Sequence, residues 1–482
     1  MQDQQDHRKL FIGGTWTSPE GAGRLDVFSP ATEERVGSVP LASAADADRA
    51  VAAARHAFDD TPWPRLDVKE RLAAVGRFSA AVSARAEEFV DVLTAEVGLP
   101  RASLPAGQIA KTQAVFDAYA DIAEDYPWAL TRPGSRGRTL RVHRRPVGVV
   151  VAIVPWNAPL FISALKLAPA LIAGNTVVLK PSEEAPLHAQ LLAACAEEAG
   201  LPDGVLSVLP AGAAVSERLV RHSGVDKVSF TGSTAVGRRI GAMCAQDLRR
   251  CTLELGGKSA ALILDDLELT DGVVKSLVMG AMANSGQICA AQARVLVPRA
   301  RYGETVEALS AAVGALRVGD PEEAGTQIGP VVSERQRTRV EGHVTRAREQ
   351  GARLVRGGSR AGRDRGWYVE PTLFAEVTPE MAIAREEVFG PVAAVLAYDD
   401  EEQAVALAND SAYGLAGAVW SADPERAERV AGRFRSGSVA VNSASPLDPF
   451  GPFGGFKQSG LGREGGPEGL DAYIEYQTIV RD

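Results

Sequence analysis

The chain is sparing with the residues that build several familiar kinds of functional site. Its 482 residues include only four cysteines and six histidines. The cysteines, Cys195, Cys244, Cys251 and Cys289, form no CxxC pair, and no HExxH occurs. A disulfide framework and a structural zinc site are therefore disfavoured, and no metal site is expected. Basic charge is not in excess either. The net charge of −9 argues against a nucleic-acid or membrane-surface partner, because phosphate binding needs a basic face. The local run RVHRRP (141–146) reads as a solvated strand or loop. No apolar run is long enough to span a bilayer: the longest, VGVVVAIVPWNAPLFI (147–162), is broken by Pro155, Asn157 and Pro159. The start, MQDQQDHRKLFIGG, lacks the basic-then-apolar layout of a secretory signal. These absences suggest a cytoplasmic protein. No strand-to-helix turn carries GxGxxG, so the usual dinucleotide fingerprint is absent.

What is present is ordinary globular material, 45% apolar and 23% charged. At about 150 residues per domain the length suggests about three domains. Strand and helix signals alternate. VGVVVAIVP, NTVVLKPS, GVLSVLP (204–210) and VDKVSFTGS (225–233) read as strands. FISALKLAPALIAG (161–174), APLHAQLLAACAEEAG and TAVGRRIGAMCAQ read as the helices between and after them. This rhythm predicts a parallel sheet with crossover helices. A second α/β region follows LELGGK (253–258), with SAALIL, the helix DGVVKSLVMGAMAN, ARVLVP, GLAGAVWS (414–421) and GSVAVNS (437–443). Two segments, RTLRVHRRP (138–146) and LDAYIEYQTIV (470–480), alternate with period two as exposed strands do. They either pair with each other or offer an edge to another chain.

The stretch MANSGQICAAQARVLV (282–297) sets Cys289 among Gly286, Ala290, Ala291 and Ala293. Either the thiol is a small buried hydrophobe, or something must approach its sulfur closely. A cysteine attacking a carbonyl generates an oxyanion that needs preorganised donors. Asn157, just past a buried strand in VPWNAPL, is one candidate, although the local pattern alone favours a turn residue. Glu254 in LELGGK is a general base on a cleft wall or, more simply, exposed. In SFTGSTAVG a strand runs through Gly232 into a helix opened by Ser233, a geometry suited to a pyrophosphate. Lys180 and Glu183 in VVLKPSEEAP either hold ribose hydroxyls or form a solvated cap.

Seven motifs in order carry more than any one alone: PWN (155–157), KLAPALIAGNTVVLKPSE (166–183), FTGS (230–233), LELGGK (253–258), GQIC (286–289), EEVFGP (386–391) and PFGGFKQSGLGRE (452–464). Over nearly all its length the chain resembles the NAD(P)-dependent aldehyde dehydrogenase superfamily, of the hydrolytic rather than CoA-acylating type. The resemblance implies an α/β fold with a Rossmann-like cofactor-binding domain (1–124 and 147–254), an α/β catalytic domain (255–450) and a small β oligomerisation element with the C-terminal segment (125–146 and 451–482). It implies catalytic roles for Cys289 as nucleophile, Glu254 as base and Asn157 as oxyanion donor. NAD, with NADP as an alternative, would contact Trp156, Lys180, Ser182, Glu183, Gly212, Phe230, Thr231, Gly232, Ser233, Leu255, Glu387 and Phe389. The substrate tunnel would be lined by Ala158, Ile162, Leu165, Ile288 and Ala290 and capped by Leu447 and Phe450. Asp448 beside that cap would spoil an apolar lining. The resemblance implies a small-molecule aldehyde as substrate and a homodimer or homotetramer. A useful thiolate fraction at Cys289 leads us to expect a lowered thiol pKa. Rival readings are a CoA-acylating semialdehyde dehydrogenase, a non-redox cysteine hydrolase and a non-enzymatic scaffold.

Overall fold

The run VVVAI, strand β1 (Val149–Ile153), is buried along its whole length in the computed structural model, which describes residues 5–482. The opening stretch read above begins with Met1–Gln4, which lie outside the described residues. A continuous β-branched run needs cover on both faces, and crossover helices supply it. Beside β1 lie β2 (Thr176–Lys180), β3 (Leu206–Val208), β4 (Lys227–Thr231) and β5 (Arg250–Glu254), all parallel. Their order is 5-4-1-2-3, so the winding reverses between β1 and β4. That reversal opens a crevice at the carboxyl ends of the strands, where such sheets bind ligands. Leu10–Ile12 and Thr15–Thr17 extend one edge, and Gly460–Leu461 pairs antiparallel with β5 at the other.

Helix α1 (Pro159–Ala173) follows β1; proline stands in its first turn and Gly174, at φ +93°, closes it. Every residue of α1 is buried, as a helix apolar on all sides must be. Helices α2 (Leu187–Glu198), α3 (Ala213–Arg221) and α4 (Thr234–Gln246) complete the crossovers. The second sheet holds β6 (Ala260–Ile263), β7 (Arg294–Pro298), β8 (Thr372–Ala375), β9 (Val392–Tyr398), β10 (Ala416–Trp420) and β11 (Ser438–Val441). They are parallel in the order 8-9-7-6-10-11, with Arg353–Arg356 antiparallel outside β8. Helix α5 (Asp271–Met282) leads from β6 towards the Cys289 loop.

The two period-two segments pair with each other. Ile474–Arg481 runs antiparallel to Thr139–Pro146, which also pairs with Ala129–Pro133. The tail strand begins later than its pattern suggests, because Leu470 and Asp471 belong to the short helix Gly466–Asp471. Among the described residues no helix is long and apolar enough to cross a membrane.

Candidate active site

The Cys289 loop starts where α5 ends. Asn284, Ser285 and Gly286 take φ values of +52°, +54° and +70° in succession. Left-handed backbone at a non-glycine residue costs about 1–3 kcal/mol, so neighbours must hold it. Asn284 Nδ2 donates to the carbonyls of Asn157 (2.8 Å) and Gln287 (3.3 Å), and Ser285 Oγ donates to Gly329 O (2.8 Å). The Val332 N–H donates to Gln287 Oε1 at 2.9 Å. Only glycine fits at 286, since a Cβ there would lie 1.9 Å from Gly390 O. Gly257 is equally constrained: its Cβ would meet Cys289 O at 2.4 Å. Gly286 and Gly257 are thus set by close backbone approach, and Cys289 itself is half-buried.

Asn157 lies in the bend between β1 and α1, which fits the turn reading, but its side chain is buried. Its Nδ2 donates to Gln287 O at 2.8 Å. An amide nitrogen carries two hydrogens, so one remains for a ligand beside Cys289. The simpler reading of Glu254 is overturned. It ends β5 only 3% exposed, and neither carboxylate oxygen has a hydrogen-bond partner. Burial pushes its pKa well above the ordinary carboxylate value; Glu464 adds to the rise, while Lys166 and Arg463 oppose it.

The expected lowering of the Cys289 thiol is also overturned. Burial pushes it up to about 12, and the charges of Glu387 and Glu254 act the same way. Backbone N–H groups of Ala290 and Cys289 oppose the rise. Glu387 Oε1 accepts from Gly257 N at 3.1 Å. A Cβ on Gly256 would lie 2.5 Å from Glu387 Oε2. The LELGGK glycines therefore seat both the nucleophile loop and this carboxylate.

The crevice at the sheet reversal gathers the other candidates. At the end of β4, Thr231 Oγ1 is buried without a partner. The Gly232 N–H donates to Glu254 O at 3.0 Å. Exposed Ser233 caps α4, its Oγ accepting from Val236 N at 3.4 Å. Phe230 packs beneath Gly232, and Leu255 packs against Gly237. Lys180 ends β2 buried, and desolvation lowers its pKa against the pull of Glu183 and Glu184. Glu183 is exposed, its carboxylate 3.5 Å from where a Cβ on Gly212 would stand. Ser182 donates to Glu184, so that pair is engaged internally. Phe389 sits at φ +58° with its ring edge-on to Trp156, centroids 5.4 Å apart at 84°. A helix N-terminus, an unpartnered hydroxyl, a lysine and two carboxylates along one crevice fit a dinucleotide.

The tunnel candidates are spread along this wall. Ala158, Ile162 and Leu165 share one face of the α1 entry; the latter two are buried and Ala158 is half-buried. Ile288 and Ala290 flank the thiol, half-buried. Leu447 packs partly against the large core, while Phe450 is 55% exposed. Asp448 is exposed and turns back on its own loop, accepting from Phe450 N at 2.9 Å.

Three buried polar groups escaped sequence reasoning. Lys166 and Glu464 pair at 2.5 Å, both buried, with Lys166 Nζ also donating to Ser229 Oγ at 3.1 Å. The signal was there: Lys166 is the lone charge in an otherwise apolar helix. Gln108 Oε1 accepts from Phe161 N at 3.3 Å, satisfying a free donor at the α1 N-terminus. It sits in the π-helix Pro105–Ile109 and has no comparable sequence signal.

Comparison with known proteins follows this geometry. The aldehyde dehydrogenase family model matches residues 16–479. The chain is 45% identical over 474 residues to a geranial dehydrogenase of Castellaniella defragrans, covering 98% of each protein. It is similar to the crystal structure of a Mycobacterium tuberculosis aldehyde dehydrogenase complexed with NAD+, with TM-score 0.97, 47% identity, and coverage of 99% and 98% of the two chains. A Pseudomonas syringae aldehyde dehydrogenase C mutant complexed with NAD+ and octanal matches with TM-score 0.95, 38% identity, and coverage of 99% and 98%. With a family match over nearly its whole length and relatives this similar, the chain belongs to the aldehyde dehydrogenase family.

Proposed function

We propose that this NAD-dependent aldehyde dehydrogenase oxidises an apolar, fairly bulky aldehyde to the free acid, with Cys289 as nucleophile, Asn157 as oxyanion donor and Glu254 as general base. The observation that carries the reading is Glu254: a buried carboxylate without a hydrogen-bond partner, one strand end from the Cys289 loop. Such a group costs folding free energy, and carboxylates of this kind cluster at functional sites.

The Cys289 sulfur adds to the aldehyde carbon, its proton passing to solvent as the carbon–sulfur bond forms. The carbonyl electron pair moves onto oxygen. There the free hydrogen of Asn157 Nδ2 and the Cys289 backbone N–H receive it. When bound, NAD supplies the acceptor for the hydride that leaves the former aldehyde carbon. What remains on Cys289 is a thioester. Glu254 takes a proton from water as the water oxygen adds to the thioester carbon. The carbon–sulfur bond then breaks, releasing the acid and the thiolate.

For the cofactor, Ser233 and the α4 N-terminus would hold the pyrophosphate, with Thr231 beside them, and Lys180 and Glu183 would hold the adenosine ribose. Glu387 would hold the nicotinamide ribose. The exposed Glu183 carboxylate favours a 2′-hydroxyl and repels a 2′-phosphate, which supports NAD over NADP. Ala158, Ile162, Leu165, Ile288, Ala290 and Leu447 offer no charge to a substrate, and Asp448 is engaged with its own turn. The geranial and octanal named for the two relatives fit the same substrate class. Homodimer or homotetramer formation through the free edges of the three-stranded sheet is supported by exposed Tyr476, Ile479 and Val480. Four free thiols support a reducing, cytoplasmic setting.

NADH formation over a panel of aldehydes tests the reading. Octanal and a branched terpenoid aldehyde should exceed betaine aldehyde and an acidic semialdehyde by about 100-fold in kcat/KM. A preference for a charged aldehyde would overturn the substrate class. Faster turnover with coenzyme A as acyl acceptor would overturn the hydrolytic one.

A further inference from the structure

Two cysteines away from the thiol discussed above face each other across one helix–strand contact. Cys244 stands in the last turn of α4 and is 1% exposed; Cys251 is the second residue of β5 and half-buried. Between them the chain turns back sharply. The Arg249 N–H donates to Cys244 O at 2.8 Å, and Leu248 sits at φ +54°. Register decides where the second thiol points. Cys251 pairs with Val228 and Leu253 with Phe230, so these side chains share the sheet face that α4 covers. Thr252 and Glu254 point to the opposite face. Both cysteines accordingly belong to one apolar cluster with Ile240, Met243 and Leu253.

We propose that Cys244 and Cys251 form a peroxide-oxidisable dithiol that closes to a disulfide between α4 and β5. Cys251 is the attacking sulfur because it is the more exposed. The adjoining Cys244 thiol lowers its pKa, burial opposes that, and the charge of Lys227 lowers it further. The Cys251 thiolate attacks one oxygen of a hydroperoxide. The O–O bond breaks, giving a sulfenic acid and, after protonation, water or an alcohol. Cys244 sulfur then attacks the sulfenyl sulfur. The S–S bond forms as hydroxide leaves and takes the Cys244 proton as water. Two thiols lose two electrons and the hydroperoxide gains them. A small-molecule dithiol reverses the change by exchange.

The test treats the full-length protein with about one equivalent of hydrogen peroxide, blocks free thiols and maps tryptic peptides without reduction. The expected product is Ile240–Arg249 linked to Cys251–Lys258, short of two hydrogens, with Cys289 still alkylated by the blocking reagent. Cys244→Ser should instead leave a Cys251 sulfenic acid that dimedone traps. Free Cys244 and Cys251 beside an oxidised Cys289, or a disulfide joining any other pair, would overturn the proposal. The wild-type map decides this even if the serine variant folds poorly.

Discussion

Replacing Glu254 by glutamine separates the two halves of the reaction. The substitution keeps the shape of a side chain that is 3% exposed, so it leaves no cavity. It removes the only group assigned to activate water. Neither neighbouring carboxylate can take over: Glu387 accepts from Gly257 N, and Glu464 is paired with Lys166. A positioned general base contributes about 10²–10⁴ in rate. With no substitute in reach, deacylation should fall by about 10³-fold, equivalent to about 4 kcal/mol of barrier. Addition of Cys289 to the aldehyde does not use Glu254, so acylation should change far less. Rapid mixing of variant, NAD and aldehyde should therefore give a burst of NADH close to one equivalent per site, then a slow steady phase. The pH dependence has a definite sign. Because Glu254 is held above the ordinary carboxylate value, its basic form grows as pH rises beyond that range. Wild-type deacylation should rise with pH, and the glutamine variant should lack that limb. A full burst followed by an unchanged steady rate would refute the role of Glu254.

Other substitutions probe the remaining parts. Asn157→Ala removes one oxyanion donor and should lower kcat by about 10²–10³, with KM little changed; a kcat within a factor of a few would remove Asn157 from the mechanism. Lys166→Met strands Glu464 as a buried, unpaired charge and should cost about 3–5 kcal/mol in urea unfolding. An unshifted midpoint would mean that the pair contributes nothing to stability. Glu183→Ser should raise the NADP-to-NAD ratio of kcat/KM by about tenfold, since it removes the charge that repels a 2′-phosphate. An unmoved ratio would place cofactor choice elsewhere.

The fold was legible where local pattern and burial agree. Val149–Ile153 is apolar throughout and α1 nearly so, with Lys166 its lone charge, so their place inside the fold follows from composition. The helix TAVGRRIGAMCAQ starts where its sequence says, because Ser233 caps it. The tail strand was misjudged at its start because Leu470 and Asp471 alternate acceptably as either helix or strand, and a glycine-rich turn decided for helix. At the site, residue types were legible and environments were not. A lone glutamate between leucines reads as exposed, yet the segment around Gly454 and Gly460 folds over Glu254 and buries it. The thiol of Cys289 reads as activated, yet its neighbours are carboxylates brought from residues 254 and 387. Gln108 and the Lys166–Glu464 pair depend on contacts far apart in the chain, which no local pattern encodes.

The central claim is a covalent bond between substrate and one sulfur. Cys289→Ala, assayed for NADH formation with an apolar aldehyde, tests it most directly. The account predicts a loss of about 10⁴-fold or more while NAD still binds, since no other group can hold the acyl chain. Turnover by the alanine protein within about tenfold of the parent would contradict it.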